Sequence, residues 1–129
     1  MEQMMNARVP QLLKVLALPA ALLLAGAADA VVFPKELRGT WDIGPEACRL
    51  PLSADSDTVI RIEARRLVGF ENVDTPRRIT RLSTGVLAWS VASESNVAPG
   101  VSLEDIYVLK GDNLTVTDGE TTRTYRRCR

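Results

Sequence analysis

The sequence predicts an all-β fold, namely a small antiparallel up-and-down barrel of about eight or nine strands, with a β-sandwich as the alternative. Three observations favour this fold: short segments that alternate apolar and polar residues, turn residues between those segments, and a pair of cysteines in a chain that carries an export signal. Short strands joined by short turns form a meander, and closing a meander into a barrel removes its exposed edges.

The strand segments follow one another without a sustained helical period. In the segment Val86–Ser93, for example, Leu87, Trp89 and Val91 share one face of the predicted strand. The Asp-Gly pair at 118–119 is the strongest two-residue hairpin signal in the chain. The predicted strands are Leu37–Ile43, Thr58–Glu63, Arg66–Glu71, Arg77–Ser83, Val86–Ser93, Leu103–Lys110, Leu114–Thr117 and Glu120–Arg127.

Residues 1–30 are predicted to be a secretory signal peptide, and residues 31–129 to form a single domain. A polar leader with two basic residues precedes the ten-residue apolar run Val15–Leu24, and Ala28-Asp29-Ala30 fits a cleavage site. Ten residues are about half of what a helix needs to cross a bilayer, so we expect no membrane span in the mature form. We therefore expect a periplasmic or secreted protein.

Composition excludes several classes of function. The chain has 16 basic and 16 acidic residues, and the first thirty residues contain two of each, which leaves 14 of each in the domain. This balance argues against a nucleic-acid partner, because such proteins need an excess of Lys and Arg. The chain has no histidine, which removes serine–histidine–acid catalysis and zinc sites with imidazole ligands.

No catalytic, cofactor-binding or metal-binding motif stands out, so we expect a protein that is not an enzyme and uses no cofactor or metal. Glu63 and Glu71 lie on neighbouring predicted strands and are the one acidic pair that we considered for glycoside chemistry. Surface ion pairs with the many arginines account for acidic residues of this kind.

The two cysteines, Cys48 and Cys128, are expected to form a disulfide that closes a loop of about eighty residues and contributes about 4–5 kcal/mol. In an eight-strand meander the two residues would lie at opposite ends, about 20 Å apart, whereas a disulfide requires Cα atoms within about 7 Å. The sequence therefore predicts either an extra short strand over Ala47–Leu52 or a loop that folds back there.

Each strand of a meander takes the chain to the opposite end of the barrel, so the connections between strands fall into two groups. The longer connections are expected together at one end, and the tight turns near 64–65, 84–85 and 111–113 at the other end. Loops on a rigid scaffold carry recognition, which makes Glu94–Ser102 a candidate docking loop. The longer connections are 53–57, 72–76 and 94–102.

The segment Phe33–Trp41 (FPKELRGTW) resembles the start of a lipocalin-like, calycin-type barrel, in which a short turn precedes a Gly-x-Trp motif on the first strand. Here the motif is formed by Gly39 and Trp41. The resemblance implies that the tryptophan closes one end of the barrel, that the glycine allows a close approach of neighbouring structure, and that an arginine of the last strand packs across the tryptophan. The candidates for that arginine are Arg123, Arg126 and Arg127.

These observations favour an exported, non-enzymatic binding module of the cell envelope. A narrower version is an inhibitor of a hydrolase, because small periplasmic inhibitors of lysozymes and metalloproteases also use compact, disulfide-bearing β-barrels. The alternative is a lipocalin-like carrier of a small apolar ligand, although lipocalins are markedly longer than this domain. The expected partner is thus an envelope protein or a small apolar ligand, and a filled or hollow barrel interior distinguishes the two.

Overall fold

The computed structural model describes residues 26–44, 48–52 and 56–129. Most of the predicted signal peptide lies outside these residues. Its proposed cleavage site, Ala28-Asp29-Ala30, lies in an exposed stretch without regular secondary structure. The first side chain of the buried core is that of Phe33.

Eight antiparallel strands form a closed barrel in which each strand pairs with the next and the last pairs with the first. The predicted barrel is therefore confirmed, and the two sheets of a sandwich are not formed. The strands are β1 (Gly39–Ile43), β2 (Ile60–Ile62), β3 (Leu67–Val68), β4 (Val73–Arg81), β5 (Leu87–Ser95), β6 (Ser102–Lys110), β7 (Asn113–Thr117) and β8 (Thr122–Arg127).

Strand β4 differs most from its predicted counterpart, because it begins at Val73 rather than at Arg77. Its register against β5 shifts between Pro76 and Arg78, where a bulge inserts one extra residue. Because of the extra residue, the inward- and outward-facing positions before the bulge do not continue the alternation of the positions after it. The prediction of a connection over 72–76 is therefore wrong, since residues 73–76 belong to the strand.

The two ends of the barrel differ in their connections. At one end, which we call the mouth, lie the end of β1, the start of β2 and the loops that follow β3, β5 and β7. Of the predicted connection over 53–57, residues 53–55 lie outside the described residues. At the other end, the base, lie the turns that follow β2, β4 and β6, together with the C-terminal residues. The tight turns predicted near 64–65, 84–85 and 111–113 all fall at the base, as expected.

The base of the barrel is filled by side chains. A single 3₁₀ turn, Lys35–Leu37, precedes β1 and buries Leu37 completely. The backbone N–H of Phe33 donates to the carbonyl of Ala64 over 2.8 Å, and the indole N–H of Trp41 donates to the carbonyl of Leu37 over 2.9 Å. Phe33, Leu37 and Trp41 are fully buried, so this end has no opening at its centre.

The disulfide joins Cys48 to Cys128 at the base, with 4.3 Å between the Cα atoms. The chain reaches the base again after β1 because it folds back. The N–H of Arg129 donates to the carbonyl of Cys48, and the N–H of Leu50 donates to the carbonyl of Arg129. Of the two sequence-based expectations, the returning loop is the one formed, since the described residues Cys48–Leu52 contain no strand.

Candidate functional site

The side chains that face the barrel interior change from apolar to polar between the base and the mouth. Near the base they include Trp41, Leu109 and Leu114, which belong to the hydrophobic core. Near the mouth they include four polar side chains, which we call the mouth cup: Asp74, Ser95, Asp105 and Arg123. A charged residue at an inward-facing strand position is unusual, because such positions normally hold apolar side chains.

The mouth cup surrounds open space of a size suited to a small molecule. One hollow of about 360 Å³ is lined by all four of its residues. A second hollow of about 130 Å³ extends down to Tyr107 and Tyr125 and shares Asp74, Asp105 and Arg123 with the first. Small-molecule sites in proteins measure roughly 300–1,000 Å³, so this space lies at the lower end of that range.

Asp74 and Ser95 face each other across the β4–β5 pair and form one wall of the mouth cup. One oxygen of the Asp74 carboxylate accepts a hydrogen bond of 3.1 Å from the side-chain amide of Asn72. The Ser95 residue is only 4% exposed, and its hydroxyl has no hydrogen-bond partner in the described part of the chain. A buried hydroxyl without a protein partner is uncommon and calls for water or a ligand.

Asp105 stands on β6, opposite Val91 of β5, and is half-buried. Burial raises the pKa of its carboxyl group above the ordinary value. The negative charges of Asp118 and Asp74 raise that pKa further, while the guanidinium of Arg123 opposes them. The folded barrel thus disfavours the charged form of this carboxyl group, and the positive charge of Arg123 offsets part of that effect.

Asp118 borders the mouth cup but has a structural role in the turn between β7 and β8. Its carboxylate accepts the backbone N–H groups of Thr121, over 2.6 Å, and of Glu120, over 2.9 Å. These two hydrogen bonds lower the pKa of Asp118, and the group is exposed. Asp118 therefore adds a fixed negative charge at the edge of the mouth.

Arg123 is central to the mouth, since it lines the hollow beside Asp118, the one beside Phe70 and both hollows of the mouth cup. Within the described residues its guanidinium forms no ion pair shorter than 4 Å. An arginine that projects into a pocket without a carboxylate partner retains all five of its N–H donors for a ligand.

Tyr107 forms the floor below the carboxylates. Its ring packs against Phe33 with 6.2 Å between the centroids, and the residue is buried. Burial raises the pKa of its phenol far above the ordinary value, and the charges of Asp105 and Asp74 raise it further. The phenol therefore stays protonated, and its O–H is a donor that lines the same hollow as the two carboxylates.

The residues that the sequence singled out, Gly39 and Trp41, lie at the base, away from the mouth cup. Of the three candidate arginines, Arg127 packs across Trp41, with its guanidinium carbon 4.1 Å from the ring centroid. A Cβ atom on Gly39 would lie 2.8 Å from the Arg127 guanidinium. The motif therefore closes and supports the base, and it does not contact the space at the mouth.

The acidic pair considered for glycoside chemistry is not brought together. Glu63 lies at the base, where it accepts hydrogen bonds from Arg61 and Arg66 on the outside of the barrel. Glu71 lies in the loop between β3 and β4, which is at the mouth. The side chains lie at opposite ends of the barrel, so they form no common site.

The candidate docking loop over 94–102 is shorter than predicted, because Glu94 and Ser95 belong to β5 and Ser102 to β6. The remaining residues, 96–101, form a turn held by its own backbone, with the N–H of Val101 donating to the carbonyl of Ala98. Val97 is 66% exposed at its tip. This loop borders the mouth cup, since Val97 and Ala98 line the larger hollow.

No three Asp, Glu or Cys side chains among residues 26–44, 48–52 and 56–129 come close enough to hold a metal ion. Across those same residues, no helix has the length and apolar character needed to cross a membrane.

The sequence placed Ser95 in the candidate docking loop and Asp74 in the connection 72–76, but it singled out no side chain of the mouth cup as a ligand-binding group. For Asp105 a signal exists, because Leu103, Tyr107 and Leu109 have the same parity on the strand and make Asp105 the one charged residue of an otherwise apolar face. In the same way, Arg123 and Tyr125 are two residues apart and therefore lie on the same face of their strand.

Comparison with the models of known protein families, with curated proteins and with solved structures finds no match to this chain.

Proposed function

We propose that this chain is an exported, non-enzymatic binding module whose site is the mouth cup and whose ligand is a small polar molecule. The observation that carries the proposal is the hydroxyl of Ser95, which is buried and unpartnered in the described part of the chain. The Ser95 residue lines a hollow that is also lined by Asp74, Asp105 and Arg123. Buried polar groups that lack protein partners are costly, and a bound polar molecule removes that cost.

The chemistry of the mouth cup supports binding rather than catalysis. The chain offers no histidine, and both cysteines are tied in the disulfide. The two tyrosine hydroxyls nearby belong to buried residues, and the phenol of Tyr107 resists deprotonation. None of these groups supplies a nucleophile with an adjacent general base, which covalent catalysis requires.

Export to the periplasm or the cell exterior is supported by the disulfide, which is compatible with an oxidising compartment. It is supported independently by the leader sequence over residues 1–30. The Gly39–Trp41–Arg127 arrangement at the base supports a lipocalin-like, calycin-type barrel within this proposal. A lipocalin-like carrier of an apolar ligand is less well supported, because the interior is filled at the base and charged at the mouth.

A second candidate function, inhibition of an envelope hydrolase, is favoured by the exposed apolar side chains around the mouth. Val97 is 66% exposed, Phe70 is 60% exposed, and Val101 lies beside Val97 on the 96–101 turn. Replacement of Val97 and Val101 by serine leaves the turn's backbone hydrogen bonds in place. Hydrolase activity measured with and without the protein tests this candidate, which requires inhibition that the double variant loses.

The main proposal is tested by ligand binding to a variant with a blocked mouth. We expect Ser95→Leu to fill the hollow with an apolar side chain, whereas Ser102→Leu, on the exposed end of β6, serves as the matched control. Thermal shifts would be measured with lauric acid and with a panel of small cations, anions, zwitterions and neutral sugars. Binding of a polar solute that Ser95→Leu loses and Ser102→Leu keeps supports the proposal.

Two results would contradict the proposal. Stabilisation by lauric acid alone would favour the apolar carrier, and no stabilisation by any solute would leave the mouth cup without a ligand. Native mass spectrometry of the exported protein adds an independent check, because it reads both the mass of a chain that starts at Val31 and any ligand that is retained.

A further inference from the structure

The charges of the mouth cup are arranged in two unlike groups. Asp74 and Asp105, on β4 and β6, contribute two carboxylates. Arg123, on β8, contributes one guanidinium. Because β5 separates the two acidic strands and β7 separates β6 from β8, the three side chains converge from different parts of the barrel wall. A ligand at the centre of the mouth therefore meets both signs of charge.

The acidic part of the mouth cup suits an ammonium group. An ammonium group has three N–H donors and needs three acceptors. The carboxylates of Asp74 and Asp105 provide two, and the unpartnered hydroxyl of Ser95, which belongs to a residue 4% exposed, provides the third. No group of three metal-ligating side chains is found in the described part of the chain.

The basic part of the mouth cup suits a carboxylate. Arg123 forms no ion pair shorter than 4 Å with any of the described residues, although three aspartates and Glu104 line the same hollow. The planar guanidinium matches a carboxylate through two parallel hydrogen bonds. A ligand that carried only a positive charge would place that charge next to Arg123, with no negative group of its own to offset the repulsion.

The space between the two groups has apolar walls. Leu103 lines the larger hollow, and Val116 lines the smaller one, which also reaches Leu67. A short hydrocarbon side chain can pack there while the charged ends of the ligand meet the polar groups. The volume of about 360 Å³ accommodates a ligand of this size.

We propose that the ligand of the mouth cup is a small zwitterion of the α-amino acid class, with its ammonium group on Asp74, Asp105 and Ser95 and its carboxylate on Arg123. This inference rests on the proposed function, since it names the class of ligand for the same site. The juxtaposition that carries it is an arginine without an ion-pair partner beside two carboxylates and a buried, unpartnered hydroxyl.

Isothermal titration calorimetry of the wild-type protein tests the inference with three matched probes. L-leucine carries both charges, 3-methylbutylamine lacks the carboxylate, and 4-methylpentanoate lacks the ammonium group. We expect L-leucine to bind at least tenfold more tightly than either analogue, because each analogue leaves one charged group of the mouth cup uncompensated. Equal affinity for the amine and L-leucine would overturn the inference in favour of a cation site, and equal affinity for the acid in favour of an anion site.

Three variants assign the two ends of the ligand. Arg123→Gln should weaken L-leucine at least tenfold and strengthen 3-methylbutylamine, because it removes a positive charge beside the ammonium group, whereas Asp105→Asn should weaken both probes. Arg126→Gln, on the exposed face of the same strand as Arg123, is the control and should change neither affinity. Circular dichroism confirms that each variant is folded before titration. Loss of L-leucine binding in the Arg126 variant as well would contradict the assignment.

Failure of this inference is distinguishable from failure of the proposed function. If none of the three probes binds but another polar solute does, and Ser95→Leu removes that binding, the zwitterion is wrong and the binding function stands. If no solute of any class binds, both fail together.

Discussion

The guanidinium carbon of Arg127 lies 4.1 Å from the centroid of the Trp41 ring, and this stacking joins the last strand of the barrel to the first. The same guanidinium donates to the carbonyl of Arg38 over 2.9 Å and to the carbonyl of Glu36 over 2.7 Å. One side chain therefore satisfies two backbone carbonyls and covers the buried tryptophan. Closure of the barrel at its base therefore depends on the planar guanidinium group of Arg127, with its several N–H donors, as well as on its charge.

Replacement of Arg127 by lysine is therefore expected to lower the free energy of unfolding by about 2 kcal/mol, because lysine keeps the charge but cannot make both hydrogen bonds and stack on the ring. The measurement is urea denaturation. Arg126→Lys, on the exposed face of the same strand, is the control and should change the value by less than about 0.5 kcal/mol. Equal effects of the two substitutions would contradict the role assigned to Arg127.

Gly39→Ala is expected to lower the free energy of unfolding by about 1–3 kcal/mol. The φ angle of Gly39 is +143°, which side chains rarely adopt, and the new Cβ would lie 2.8 Å from a nitrogen of Arg127 that is already held by hydrogen bonds. Gly85→Ala meets no atom within 4 Å and serves as the control in the same denaturation experiment. A loss at Gly85 as large as the loss at Gly39 would show that the contact with Arg127 is not the cause.

Removal of the disulfide by the double substitution of Cys48 and Cys128 to serine is expected to lower the free energy of unfolding by about 4–5 kcal/mol. The bridge spans 80 residues of sequence, and its removal restores conformational freedom to the unfolded chain. A domain of this size has a total of about 5–15 kcal/mol, so the variant should be only marginally folded at room temperature. Chemical denaturation of the oxidised and reduced wild-type protein gives the matched comparison, and a loss below about 1 kcal/mol would contradict the prediction.

Asp105→Asn is expected to raise the stability of the domain at neutral pH while it weakens ligand binding. Because the pKa of Asp105 in the folded barrel is above its ordinary value of 3.8, the wild-type domain loses stability as pH rises through the interval between those two values. The asparagine variant has no charge to bury, so its advantage should be present at pH 7 and absent below the ordinary pKa. Urea denaturation at pH 7 and pH 3 measures both, and destabilisation by the variant at pH 7 would show that Asp105 is structural rather than functional.

Much of the fold follows from the sequence because the barrel is built from local signals. Alternating residues predicted all eight strands, and counting strand directions predicted that the chain must return to the base near Cys48. The start of β4 at Val73 and the bulge after Pro76 could not be predicted in the same way. The bulge in β4 changes the parity of the strand, so Asp74 and Ile79, which are an odd number of residues apart, both face the interior.

The candidate site was harder to predict because its residues come from four different strands. Asp74, Ser95, Asp105 and Arg123 are far apart in sequence, and only closure of the barrel gathers them at the mouth. Ser95 in particular looks like an ordinary strand-end serine. Its importance lies in a missing hydrogen-bond partner, which is a property of the folded protein.

Nuclear magnetic resonance can show whether the mouth of the barrel holds a small polar ligand. Backbone amide shifts of the uniformly ¹⁵N-labelled protein would be followed during titration with L-leucine. The expectation is that the largest shifts occur at Ser95, Asp105 and Arg123 and that the turns at 64–65 and 111–113 remain unchanged, because those turns lie at the base. Shifts concentrated at the base, or shifts spread evenly over the barrel, would contradict it.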